Sequence, residues 1–162
     1  MILRPLKKRD QGHSAVEFAL ALPVFVFLIM GIIEFGWFFF VQHTMQYATR
    51  EGMRLALVGR TLVDPNNIPL SRKDSIIQMI RDNASLAVNP SPPTFRISIY
   101  PLTSTYTDPP GWEGTQDAGN PGDYMRVRTR YTYTFMTPLI GTFFGGITTI
   151  QSEGTYRNEL FD

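Results

Sequence analysis

The apolar run from Phe18 to Val41 constrains the fold of this chain more than any other feature of its sequence. The run is 24 residues long and contains one charged residue, Glu34. As an α-helix it would rise about 36 Å, which exceeds the ~30 Å hydrocarbon core of a bilayer. A buried core helix is the alternative, but only about 100 residues would remain to form a domain that covers so long an apolar run. The sequence therefore predicts one membrane-spanning helix.

Charged residues on the two sides of the apolar run predict its orientation. Four basic residues precede it, Arg4, Lys7, Lys8 and Arg9, whereas the nine residues that follow it contain only Arg50. Segments rich in Lys and Arg stay in the cytoplasm. We therefore expect a single-pass protein of the cytoplasmic (inner) membrane, with its N-terminus in the cytoplasm and its C-terminal part outside it.

The sequence after the apolar run predicts that the helix continues beyond the membrane. Small or apolar residues recur there at helical spacing, at Met45, Ala48, Leu55 and Val58. Gly59 and the segment DPNNIP then favour an end to the helix. We expect a membrane and stalk helix over residues 13–58, followed by an extracytoplasmic domain over residues 61–162.

Two kinds of hydrophobic pattern predict an α+β fold for that domain. Residues 70–88 repeat apolar side chains at helical spacing, and Ser71 can cap the start of this helix. Residues 94–100, 124–135 and 147–159 favour strands, most clearly the second, where apolar and polar residues alternate. The predicted fold is a long N-terminal transmembrane helix that continues into a stalk, then a small domain with one helix and a three-stranded antiparallel sheet.

Three further segments each lead to a prediction. Arg126, Arg128 and Arg130 share one face of the second strand and are expected to be solvated. The loop 107–123 is rich in turn residues and is expected to be mobile; its scattered carboxylates leave calcium binding open. The apolar segment GTFFGGI, residues 141–147, is expected to be a packed connection.

The composition argues against several classes of function. Absence of cysteine excludes disulfides, thiol catalysis and zinc–thiolate sites. A net charge of +1 gives no reason to expect a nucleic-acid partner. The sequence shows no catalytic or phosphate-binding motif and no metal-ligand spacing. We therefore expect no enzyme, no cofactor and no small-molecule substrate, and, apart from the calcium left open for the loop 107–123, no bound metal.

The residues around the start of the apolar run resemble a known signal. Gly12 ends a basic leader, four residues separate it from Glu17, and the hydrophobic run follows, as in the type IV pilin signal. More specifically, the stretch from Gly12 to Ala56 resembles the TadE-like family of Tad (Flp) pilus systems, through AVEFAL, LP, GIIEFG and REGMR. Two residues depart from the usual family pattern, Trp37 and Thr49.

This resemblance implies a pseudopilin, a minor pilin or assembly protein of a Tad pilus. A prepilin peptidase would cut between Gly12 and His13, removing the leader of residues 1–12. The partners implied are the membrane, that peptidase, and other pilins or pseudopilins packed against the N-terminal helix. Whether the N-terminus of His13 is methylated, and whether the subunit enters the fibre, stay open.

Two carboxylates of the helix are candidate assembly residues. A carboxylate near hydrocarbon is costly unless it is paired, so Glu17, beside Phe18, is expected to meet the new α-amino group of a neighbouring subunit and set the helix register. The intramembrane Glu34 is a candidate contact for a partner helix; the alternative is that it is protonated or reaches toward the headgroups.

A second hypothesis competes with the pilin interpretation. The chain could be a signal-anchored membrane protein whose outer domain acts in cell adhesion or binds a ligand, without entering a filament. Removal of the leader would separate the two hypotheses, because only the pilin interpretation requires it.

Overall fold

The structure, a computed structural model, describes residues 10–160 of the chain. Its elements are α1 (Asp10–Leu57), α2 (Arg72–Ala84), β1 (Phe95–Pro101), β2 (Tyr124–Thr134), α3 (Pro138–Phe143) and β3 (Ile147–Arg157). The basic residues of the leader, at positions 4–9, lie outside the described part. The predicted α+β fold, a long apolar helix followed by a small domain with a three-stranded antiparallel sheet, is confirmed.

Helix α1 is continuous from Asp10 to Leu57 and includes Pro23. Among residues 10–160 it is the one helix long and apolar enough to cross a membrane. Its first half makes little contact with the rest of the protein, and the side chains from Val16 to Ile33 are almost all exposed. An apolar surface of this extent in a helix is stable only when lipid or another apolar surface covers it.

The second half of α1 forms one wall of the domain core. Its buried residues include Val41, Met45, Ala48, Thr49 and Ala56. Spacings of three, four, seven and eight positions among them place these residues on one face of the helix. The stalk is therefore also the central helix of the domain, packed against α2 on one side and against β2 and β3 on the other.

Two glycines permit this close packing. A Cβ atom on Gly52 would lie 2.4 Å from Cγ1 of Ile80 in α2. A Cβ atom on Gly154 in β3 would lie 2.3 Å from the side chain of Met53 in α1. Gly52 weakens a helix by about 1 kcal/mol relative to alanine, and the contact with α2 is the structural reason for its place there.

Helix α2 begins as its sequence predicts. The Ser71 hydroxyl accepts a hydrogen bond from the Asp74 backbone N–H at 3.1 Å, so Ser71 is the N-cap. The apolar face of α2, including Ile76, Ile77 and Ile80, is buried against α1.

The sheet has the order β1-β2-β3, with both pairs antiparallel. The predicted alternation in β2 is confirmed: Met125, Val127 and Thr129 are buried, while the arginines between them lie on the other face. β2 and β3 extend beyond Phe95, the first residue of β1. They form a hairpin, and the connection between them contains α3.

Helix α3, over Pro138–Phe143, was not expected from the sequence. Residues 141–147 were predicted to be a packed connection, which is wrong for most of this segment. Phe143, Phe144 and Ile147 are largely exposed, whereas Gly141 is buried beside Phe135. Six residues are too few for hydrophobic periodicity to reveal a helix, and Pro138 at its first turn was the one local signal.

Candidate functional site

The predicted cleavage site lies on an open surface of α1. Within the described residues, and apart from the glycine itself, its chain neighbours and the backbone of α1, no atom lies within 4 Å of a Cβ atom built on Gly12, and His13 is exposed. The side chain of His13 contacts Glu17 one helical turn later, with 3.0 Å between Nε2 and Oε1. Glu17 and Phe18 are exposed as well. All the predicted register residues are therefore accessible to a partner, and their roles stay predictions.

Glu34, by contrast, is buried inside its own chain, with 1 % of its surface exposed. Three donors from the end of β2 and the following turn reach its carboxylate. The Tyr133 hydroxyl donates to Oε1 at 2.8 Å, the Met136 backbone N–H donates to the same oxygen at 3.0 Å, and the Thr137 N–H donates to Oε2 at 2.8 Å. Both oxygens are thus satisfied without a partner helix. The contact of Glu34 with another subunit stays a prediction.

Aromatic rings pack together around Tyr133, the side chain that donates to this carboxylate. Phe38, one turn after Glu34, lies edge-to-face with Tyr133 at 5.3 Å between ring centroids and is stacked on Phe135 at 6.4 Å. Tyr133 and Phe135 also meet edge-to-face, at 5.4 Å. Such aromatic pairs contribute about 0.5–1.5 kcal/mol each beyond their buried area. The cluster fixes the Tyr133 hydroxyl on Glu34 and joins the hairpin to α1.

On the outer face of the sheet, Asp108 forms ion pairs with two of the three arginines. We refer to Asp108 with its partners Tyr100, Arg126 and Arg128 as the clamp. The Asp108 carboxylate pairs with Arg126 through Oδ1 and with Arg128 through Oδ2, the latter at 2.9 Å. The Tyr100 hydroxyl also donates to Oδ1, at 2.9 Å. The prediction of a solvated arginine row is therefore wrong here, because Arg126 and Arg128 are 19 % and 11 % exposed.

The pKa values of this cluster reflect opposing effects. Burial by itself raises the pKa of Asp108, but the Tyr100 hydrogen bond and the charges of Arg128 and Arg126 together lower it below the ordinary value. Burial, and then the hydrogen bond to Asp108, raise the pKa of Tyr100 to about 12. Asp108 is thus ionised and Tyr100 neutral near pH 7, which is the arrangement that holds the clamp.

Trp112 extends this contact along the arginine row. Its indole lies under the guanidinium groups of Arg128 and Arg130, at 4.2 and 4.7 Å from the ring centroid. Glu113 accepts a hydrogen bond from Arg130 at 2.9 Å. The loop 107–123 was expected to be mobile; instead it folds back over the sheet and is held there by ion pairs and cation–π contacts.

The remaining carboxylates of the loop bind backbone groups. Asp117 accepts a hydrogen bond from the Gly119 N–H at 2.9 Å, and Asp123 accepts one from the Asn120 N–H at 2.7 Å. Within the described residues, no three His, Cys, Asp or Glu side chains are grouped so that they could hold a metal ion. The geometry therefore gives no support to a calcium site in this loop.

Thr49, one of the departures from the family pattern, has a packing role. Its hydroxyl lies 2.8 Å from the hydroxyl of Thr129 on β2, and both residues are buried. The Thr49 hydroxyl also lies 2.8 Å from the Met45 carbonyl, and the Thr129 hydroxyl lies 3.3 Å from the Ser152 carbonyl. Since each hydroxyl has one proton, one threonine donates to its carbonyl and accepts the proton of the other threonine. The buried hydroxyl of Thr49 on the helix therefore has a polar partner on the sheet, Thr129, eighty positions later in the sequence.

A second buried hydrogen-bond network, centred on Asn158, lies near the end of α1. Asn158 donates from Nδ2 to the carbonyls of Ala118 and Asn120, at 3.1 and 2.8 Å. Its Oδ1 accepts a hydrogen bond from Arg72 at 3.2 Å. Asn158 directly follows β3, so the network joins the end of the sheet to the start of α2 and to the loop 107–123.

Comparison with known proteins supports the resemblance over the N-terminal helix. The model of the family described as TadE-like protein matches residues 12–54. No curated protein and no solved structure matches the chain. The match covers most of α1 and includes Gly12, Glu17 and Glu34, whereas the sheet lies outside it. The chain thus carries a TadE-like N-terminal helix, which is consistent with a TadE-like pseudopilin.

Proposed function

We propose that this chain is a non-catalytic pseudopilin of a Tad (Flp) pilus system, processed by a prepilin peptidase and assembled through α1. The match of residues 12–54 to the TadE-like family carries the proposal. The exposed apolar half of α1 supports it, because a helix of this kind offers a surface for other membrane helices. TadE-like pilus proteins are structural and not enzymes.

Cleavage creates the charge that assembly requires. Water would be added across the Gly12–His13 peptide bond, leaving a carboxylate on Gly12 and an ammonium group on His13. Because the leader carries the four basic residues, its removal takes most of the positive charge away from the cytoplasmic end of α1. Among residues 10–160, no side chain lies within 4 Å of a Cβ atom built on Gly12, which leaves this side of the bond open to a peptidase.

Glu17 would then pair with the ammonium group of an adjoining subunit. Its side chain is 66 % exposed and its contact with His13 is on the helix surface, so a second helix can approach it. Two opposite charges gain much more from each other beside hydrocarbon than in water. The pair would fix the axial register of the helices, while apolar packing supplies most of the association energy.

Mass spectrometry of the intact protein tests the proposal. Full-length protein is expressed with a Tad-system prepilin peptidase and extracted from membranes. We expect the mass to fall by that of residues 1–12, and Gly12→Val to retain the leader because a branched side chain crowds the cleaved bond. Full-length mass for the unmodified chain in cells with an active peptidase would refute the pseudopilin assignment.

Replacement of Glu17 by alanine should separate processing from assembly. We expect cleavage to proceed, and copurification with partner pilins to fall about tenfold, since loss of a charge pair in a membrane costs on the order of 1–3 kcal/mol. Quantitative immunoblotting of crosslinked membranes measures the yield. Glu51→Ala, on the same helix but outside the membrane segment, is the matched control. Equal copurification of the two variants would refute the register role.

A further inference from the structure

The hairpin between β2 and β3 ends in an apolar tip that the pseudopilin function does not explain. We define the tip as residues 136–147, which include α3. The chain has no charged residue between Arg130 and Glu153. Five large apolar side chains of the tip are more than half exposed: Met136, Leu139, Phe143, Phe144 and Ile147. A clustered apolar surface of this kind marks a contact with lipid or with another protein.

The tip lies beside α1, and it is closer to the N-terminus of that helix than the domain core is. Phe144 meets Phe35 edge-to-face at 5.6 Å, and Ile140 lies within 4.0 Å of a Cβ atom built on Gly31. An open groove of about 640 Å³ separates α1 from α3, and all its walls are apolar. It extends along α1 as far as Phe27.

The length of α1 places the tip at the level of the outer leaflet. The part of the apolar run before Glu34, from Phe18 to Ile33, rises about 24 Å. This length is ~6 Å less than the thickness of the hydrocarbon core. About 20 residues are required to span the core, so hydrocarbon that begins at Phe18 reaches Trp37. The groove, which begins at Phe27, then lies inside the hydrocarbon region together with α3.

Five backbone N–H groups of the tip have acceptors within the protein, as a hydrocarbon environment requires. In hydrocarbon an unsatisfied N–H group costs several kcal/mol. The N–H groups of Met136 and Thr137 donate to Glu34, and that of Gly141 donates to the Thr137 carbonyl at 2.8 Å. Two further tip amides, those of Phe144 and Gly146, both donate to the Gly141 carbonyl. Pro138 has no N–H to satisfy.

Glu34 is also compatible with a position inside the hydrocarbon region. An intramembrane carboxylate is tolerated when protein groups replace water around it. Its three donors replace water around the carboxylate, and Glu34 is 1 % exposed. The same contacts that satisfy the carboxylate also hold the tip against α1.

We propose that the tip enters the outer leaflet beside α1, with lipid acyl chains in the groove between α1 and α3. Continuity favours lipid as the occupant: the groove opens onto the same exposed apolar surface by which α1 spans the bilayer. The protein is then held by one spanning helix and one short helix embedded from outside. This inference rests on α1 crossing the membrane, and it is independent of leader cleavage.

Single-cysteine labelling tests the inference directly, because the natural chain has no cysteine. Full-length Phe143→Cys, carrying the fluorophore NBD, is placed in phosphatidylethanolamine–phosphatidylglycerol vesicles. We expect blue-shifted emission that is quenched by nitroxide-labelled lipid and protected from aqueous iodide. Ile68→Cys is the matched control, since Ile68 is an exposed apolar residue in the loop between α1 and α2. Its probe should be quenched by iodide and not by lipid.

A third probe separates this inference from the membrane assignment itself. Phe25→Cys, on the exposed face of α1, should be quenched by lipid. If the Phe25 probe responds to lipid and the Phe143 probe responds to iodide, the tip lies in water and the inference is overturned. If the Phe143 probe is shielded from both quenchers, protein covers the groove and the inference is again overturned. If the Phe25 probe responds to iodide, α1 does not span the bilayer and both proposals are overturned.

Discussion

Glu34→Ala should detach the hairpin tip from α1. The substitution removes the acceptor for the Tyr133 hydroxyl and for the N–H groups of Met136 and Thr137. Hydrogen bonds to charged groups contribute about 1.5–3 kcal/mol each, and a buried donor left without an acceptor adds a further cost. Because the three bonds share one carboxylate, their effects do not simply add. We expect the free energy of opening the tip to fall by about 3 kcal/mol or more.

Amide hydrogen exchange of the full-length protein in lipid nanodiscs measures this opening. The amides of Met136 and Thr137 report it most directly, since they donate to the lost carboxylate. Tyr133→Phe removes one donor and keeps both backbone bonds, so the free energy of opening should fall by about 1.5 kcal/mol, less than in Glu34→Ala. Amides in α2 serve as an internal reference and should exchange at the unmodified rate. Unchanged protection of Met136 and Thr137 in Glu34→Ala would show that the carboxylate does not hold the tip.

Asp108→Ala should release the loop 107–123 from the outer face of the sheet. Asp108 accepts from Tyr100 and pairs with Arg126 and Arg128, and its side chain is 25 % exposed. Removal of one partner of a largely buried ion pair leaves the other charges poorly compensated, so we expect a loss of about 2–3 kcal/mol in the free energy of unfolding. Limited proteolysis of the loop measures its release. Glu113→Ala is the matched control, because Glu113 is 63 % exposed and its loss should have little effect.

The clamp should also depend on pH in a defined direction. The folded protein lowers the pKa of Asp108 below the ordinary value of 3.8, so the carboxylate stabilises the fold fully above that pH. The stabilisation is lost as the pH falls through the lower, folded-state pKa. Acid denaturation of the unmodified chain should therefore include a step below pH 3.8 that Asp108→Ala lacks. Identical acid transitions in the two proteins would contradict the clamp.

Local sequence patterns predicted several elements of the fold. The alternation in β2 predicted which side chains face the core, and the cap at Ser71 predicted the start of α2. The apolar run predicted the first part of α1 as a helix, and the helical spacing after it predicted that the helix continues. These predictions succeed because each depends on residues within a few positions of one another, where backbone geometry alone relates them.

The candidate sites show the opposite case. The sequence identified Glu34 as unusual but not its donors, because Tyr133 is 99 positions away. It identified the arginine row but not Asp108 as its partner, since the loop between them had no visible pattern. It missed α3, which depends on the packing of the hairpin against α1. The roles of Gly12, His13, Glu17 and Phe18 were read from the resemblance and stay predictions.

By itself, then, the sequence determined the long apolar helix, the α+β class and the alternating faces of β2. It did so because helix and strand periodicities and the length of an apolar run act locally along the chain. Only the tertiary structure decided that Glu34 is satisfied within its own chain, that the loop 107–123 is held to the sheet, and that an apolar tip lies beside α1. Those contacts form only when distant segments pack together, and no local pattern encodes which distant donor or charge will meet which acceptor.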